Sequence, residues 1–124
     1  MTPEAFDAVC MGLTGATHVR QWGGSEVYKV GGKIFAILAA FGPHEGPDRG
    51  DGRAATFKAS DMAYELLIEH GLARPAPYLA RAKWVQLVRG DALSDQDLRA
   101  YLVQAHALVA ARLTKAAQRA LGLL

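Results

Sequence analysis

The sequence predicts an α+β fold, in which an antiparallel sheet packs with helices and a long helix closes the chain. Three observations predict it. Two runs of strand-forming residues, 26–30 and 33–40, are joined by Gly31-Gly32, a two-residue turn that reaches positive φ without a steric penalty. Apolar stripes of helical period, each with a capping residue in front, stand at both ends of the chain. With 51% of its 124 residues hydrophobic and 21% charged, the chain has the usual globular mixture and the length to bury a core as one domain, residues 1–124.

Thr2 caps the first predicted helix, with Pro3 at its tolerated first position and Glu4 and Asp7 in the opening turns. Phe6, Val9, Cys10 and Leu13 recur at a spacing of three to four and turn one stripe inward, so Cys10 reads as a packed thiol. Gly12 and Gly15 end this helix. After the Gly31-Gly32 hairpin, the run 34–40 is apolar at every position, as in a strand covered on both faces. Half of the loop 42–53 is glycine or proline, which predicts an exposed, mobile connection to a strand at 54–58.

Ser60 caps a helix at 61–70 with Ala63, Leu66 and Leu67 facing inward, and Gly71 suits the left-handed position after it. Residues 74–78 run extended because of Pro75 and Pro77. The strand at 83–89 puts Val85 and Leu87 on one face and Trp84 and Gln86 on the other. Ser94 caps the last helix, with Leu93 and Leu98 as a hydrophobic staple and Asp95 and Asp97 in the positive first turn. Its stripe runs from Leu98 through Leu102, Val109 and Leu113 to Ala116, predicting one helix on the order of 40 Å long.

The chemistry-bearing residues nominate no catalytic site, and an enzyme is not expected. His18, His44, His70 and His106 never pair at metal-ligand spacing, and Cys10 is the one cysteine, so neither a metal nor a cofactor is expected. Gly23-Gly24 and Gly31-Gly32 fit turns rather than a phosphate-cradling motif opening a helix. No apolar run is long enough to span a bilayer, and the N-terminus lacks the basic and apolar regions of a secretory signal. A soluble, cytoplasmic protein that binds rather than catalyses is the expectation.

Charge distribution suggests what is bound. Residues 1–73 hold six basic and nine acidic side chains, whereas residues 74–124 hold eight basic and three acidic ones. Candidate phosphate contacts are Lys29, Lys33 and Lys58 on strands near turns, and Arg81, Lys83 and Arg89 around Trp84. Arg112, Lys115 and Arg119 recur at helical spacing, where their bland role is to favour the helix dipole. Packing is the default for Trp84 and Tyr78, and Trp22 reads as an anchor for its loop.

Taken together, Gln21-Trp22-Gly23-Gly24 and Val27-Tyr28-Lys29-Val30-Gly31-Gly32-Lys33-Ile34-Phe35-Ala36 resemble the central signature of the MmcQ/YjbR family of small bacterial proteins. Thr56-Phe57-Lys58 looks like the family's next strand, and Pro75-Ala76-Pro77-Tyr78 followed by Lys83-Trp84-Val85 is similar to its second signature. The resemblance implies a CyaY-like α+β domain and brings no catalytic residues with it. It also implies DNA binding, a label the family carries through its likeness to double-wing domains of transcription factors. The sequence thus points to DNA binding by a basic sheet-and-wing surface. The alternative is an adaptor that takes a protein or small ligand near Tyr78 and Trp84 or on the sheet face.

Overall fold

The computed structural model describes residues 1–40, 53–77, 79 and 82–124. In chain order the elements are α1 (Pro3–Met11), β1 (Ala16–Gln21), β2 (Ser25–Val30), β3 (Lys33–Ala39), β4 (Ala54–Lys58), α2 (Asp61–Glu69), β5 (Ala73–Pro75), β6 (Trp84–Leu87), α3 (Asp95–Ala110) and α4 (Lys115–Ala120). The strands form one antiparallel sheet in the order β1-β2-β3-β4-β6-β5. The first four are a meander, and β6 then inserts between β4 and β5. This is the α+β architecture that the sequence predicts.

Local chemistry sets the boundaries. Thr2, Ser60 and Ser94 each accept a hydrogen bond from the backbone N–H three residues on, satisfying one of the donors a helix start leaves open. Gly71, at φ +71°, ends α2, and the Leu72 N–H returns to the Leu67 carbonyl at 3.0 Å. In β3, Tyr28 pairs with Ala36 while Lys29 pairs with Ile34, leaving Phe35 as the extra residue of a bulge. The bulge turns both Phe35 and Ala36 toward the helices and sends Ile34 to the other side. That is how an unbroken apolar run serves both faces of one strand.

The helices α1, α2 and α3 pack on one face of the sheet, where Phe6, Cys10, Leu67, Leu98 and Leu102 meet Tyr28, Val30, Phe35, Phe57 and Val85. Leu102 is fully buried, and its burial alone is worth about 1.5–3 kcal/mol. On the opposite face a smaller cluster gathers Val27, Ile37, Ala39, Ala54, Ala76 and Trp84. Among the described residues, no helix is long and apolar enough to cross a membrane.

Four sequence expectations are corrected. The predicted long terminal helix is two helices. Thr114 caps α4 by accepting from the Ala117 N–H, and the Gln118 side-chain amide donates to the carbonyls of Ala110 and Leu113 at 3.1 and 2.9 Å. These bonds satisfy the end of α3 locally, so the 16-residue α3 stops at about 24 Å. Ala116, expected in the apolar stripe, is exposed. Leu66 is 46% exposed rather than inward, since α2 packs through Ala63, Tyr64, Leu67 and Ile68. Trp22 stands 55% exposed at φ +50°, so its indole does not pack as an anchor for the loop. Finally, residues 16–21 form an edge strand that no expectation covered. Apart from Arg53, the loop 42–53 lies outside the described residues.

Candidate nucleic-acid interface

The register of the sheet decides which basic residues meet. Gly31 and Gly32, at φ +58° and +79°, turn the chain so that Lys33 opens β3 at the exposed tip of the hairpin. Lys58 closes β4 opposite Trp84, at this same end of the sheet. Its half-buried ammonium donates to the Ala82 carbonyl. Lys83, at φ +61°, holds its Nζ 4.8 Å above the ring of Tyr64 on α2. Arg112 comes from the turn after α3. Lys33, Ile34, Lys58, Trp84 and Arg112 line one cleft of about 280 Å³.

The cations at this cleft are felt electrostatically. Burial pushes the Lys58 ammonium below its ordinary pKa; the Arg112 charge pushes the same way, Asp61 opposes, and Lys83 adds to the depression. Among the described residues, none of Lys33, Lys58, Lys83 and Arg112 closes a salt bridge with a carboxylate. Such a cluster can receive a polyanion, since every cation already in place raises the potential felt by the next phosphate.

The other nominated residues are placed differently. Lys29 pairs with Ile34 and is half-buried beside the cleft rather than in it. Trp84 is 6% exposed and packs in the second cluster, so an edge of the indole lines the cleft while the rest is covered. Arg89 lies beyond Leu87, at the far end of the sheet from Lys83, and pairs with Asp91 at 2.8 Å. Arg81 and Tyr78 lie outside the described residues. Arg112, Lys115 and Arg119 do not share one helical stripe, because the chain breaks between α3 and α4.

At the Arg89 end, on the helix-side face, lies a polar cluster that sequence reasoning missed. Glu26 on β2 is 7% exposed and takes His18 on Oε2. Its Oε1 takes Arg20 through Nε at 2.8 Å and Nη2 at 2.7 Å, with Arg53 Nη1 at 3.6 Å. The neighbouring Tyr28 hydroxyl donates to Asp7 on α1 at 2.8 Å. Burial opposes ionisation of Glu26, but the hydrogen bonds and charges of His18 and Arg20 outweigh it and hold the carboxyl below the ordinary range. The available signal was alternation: His18 and Arg20 face Tyr28 and Glu26 directly across the β1–β2 pair. Among the described residues, no three His, Cys, Asp or Glu side chains gather as metal ligands do.

Comparison with known proteins bears on this fold. No curated protein matches the chain. The crystal structure of Deinococcus radiodurans protein DR2400, described with a DUF419 domain, superimposes with a TM-score of 0.81 at 21% identity, covering 99% of this chain and 89% of that one. At that identity the likeness shows a shared fold. The model of the YjbR family matches residues 11–108, from the end of α1 into α3 and so across the whole sheet. This chain therefore belongs to the YjbR family.

Proposed function

We propose that this protein binds DNA without transforming it, using the basic end of its sheet to hold the phosphate backbone. One observation carries the reading: Lys33, Lys58 and Arg112 line one cleft from three separate segments, with Lys83 close enough to act electrostatically on Lys58, and none of the four makes a carboxylate salt bridge among the described residues. The family's likeness to double-wing domains supports it as analogy. Because Trp84 is packed, contact is to phosphates rather than by stacking on bases, and sequence preference is weak.

Fluorescence anisotropy with a labelled duplex tests this. Four phosphate contacts give a slope of log K against log salt of about −3.6, or a roughly hundredfold loss between about 50 and 200 mM salt. The double variant Lys33→Glu with Arg112→Glu is expected to abolish the low-salt binding, while Arg89→Glu leaves it intact. Failure of the purified protein to bind duplex at low salt removes the proposal, as does equal binding by the double variant.

A further inference from the structure

The far end of the sheet holds a second cleft of different construction, which goes beyond the DNA reading and does not depend on it. It is open, about 590 Å³ in volume, and lies between α1 and the first two strands. We propose that this cleft binds a small zwitterion of the amino-acid or short-peptide class, its carboxylate against Arg20 and His18 and its ammonium against Asp7.

Begin with Glu26. A buried carboxylate needs hydrogen-bond partners, and one arginine would serve. Glu26 instead has three basic side chains around it: His18 on one oxygen, and Arg20 and Arg53 on the other. It acts as a hub that fixes their positions. Arg20 commits Nε and Nη2 to Glu26 and, among the described residues, has no partner on Nη1, on a side chain that is 67% exposed. His18 meets Glu26 through Nε2, and as an imidazolium it would donate from Nδ1 as well. A guanidinium held from behind by Glu26, with an imidazolium beside it, is a receptor for a carboxylate.

The facing wall has the opposite sign. Asp7 on α1 accepts the Tyr28 hydroxyl on Oδ1 and, among the described residues, has no hydrogen-bond partner on Oδ2. Glu4, in the first turn of α1, lines the same cleft. Burial and the Asp7 carboxylate push the Tyr28 phenol upward, so at neutral pH it stays a donor and keeps Asp7 in place. A monovalent anion would satisfy one wall only, and so would a simple amine. A molecule carrying both charges satisfies both, and the cleft is roomy enough for a dipeptide.

The test is a two-dimensional amide NMR titration with three probes at matched ionic strength: glycylglycine, acetate and ethylammonium. Glycylglycine is expected to give saturable shifts at residues 4–7, 18–20 and 26–28, with acetate and ethylammonium about tenfold weaker or more. Arg20→Gln and Asp7→Asn should each weaken glycylglycine binding about tenfold. The dispersion of their spectra reports whether each stays folded, and Arg20→Gln, on an exposed edge strand, decides the matter if Asp7→Asn does not. Absence of saturable glycylglycine shifts into the millimolar range overturns the proposal. So does acetate binding as tightly as glycylglycine, or unchanged affinity in a folded Arg20→Gln.

Discussion

Replacing Gly31 by alanine should destabilise this protein through two effects that can be measured apart. The first is conformational: Gly31 sits at φ +58°, and an L-residue held in the left-handed region costs about 1–2 kcal/mol. The second is steric, because a Cβ there would stand 2.6 Å from Cδ1 and 2.8 Å from Cδ2 of Leu113. Those are the ends of a flexible side chain, so Leu113 would rotate away and lose its packing, a loss of about 1–3 kcal/mol. Gly32 is the internal control. It too lies at positive φ, +79°, but a Cβ there meets nothing within 4 Å. Gly32→Ala should therefore cost about 1–2 kcal/mol and Gly31→Ala about 2–5 kcal/mol. Equilibrium urea unfolding at unchanged m reads both. In a Leu113→Ala background the Gly31→Ala cost should fall to the Gly32→Ala level, a coupling of about 1 kcal/mol or more. Equal costs for the two glycine variants in both backgrounds would refute the reasoning. The joint matters for the basic cleft, since Gly31 precedes the hairpin residue Lys33 by two positions and Leu113 follows Arg112 directly.

Two further outcomes follow from the burial of ionisable groups. Glu26 is held below the ordinary glutamate value of about 4.3, so as pH falls the unfolded chain takes up its proton first. The stability it contributes is complete above that value and drains as pH drops through the lower native pKa; Glu26→Gln should flatten the fall of the urea midpoint between about pH 5 and pH 3, and an unchanged slope would count against the cluster. Cys10 has no exposed surface, and burial, helped by the Asp7 charge, pushes its thiol far up. Its alkylation by iodoacetamide should track global unfolding in urea, whereas rapid labelling of the native protein would contradict the packing of α1.

What the sequence revealed and what it concealed divide along physical lines. Helix starts were legible because Thr2, Ser60 and Ser94 act within three residues of themselves. The β2–β3 hairpin was legible because a glycine pair announces the positive φ that the turn requires. Strand β1 was not, because its interior residues, Thr17 to Arg20, are all exposed and show no apolar alternation; it is an edge strand held by backbone pairing with β2. Missing β1 concealed the Glu26 cluster, which exists only when His18 and Arg20 are set across from Tyr28 and Glu26. The end of α3 was hidden for another reason. No glycine or proline marks it, and the break depends on the Gln118 amide reaching back to carbonyls five and eight residues earlier. On the site itself, the sequence nominated Lys33 and Lys58, which line one cleft, but contiguity in the chain grouped Arg89 with Lys83. Strand geometry sends two residues six apart to opposite ends of a sheet.

The placement of charge also weighs against reading these cations as mere helix electrostatics. Acidic residues do what helix dipoles favour: Glu4, Asp61, Asp95 and Asp97 occupy first turns. Cations do not mirror them, for α1, α2 and α3 have no basic residue in their last turns. Arg112, just past the end of α3, fits the dipole argument. Lys33, Lys58 and Lys83 do not, since they stand at strand ends and in the turn before β6. Lys58 goes further, because its depressed pKa means that folding disfavours the very charge it carries at neutral pH. Under the proposed function, bound phosphates would offset this repulsion, which Asp61 and the Ala82 carbonyl offset only in part within the folded chain.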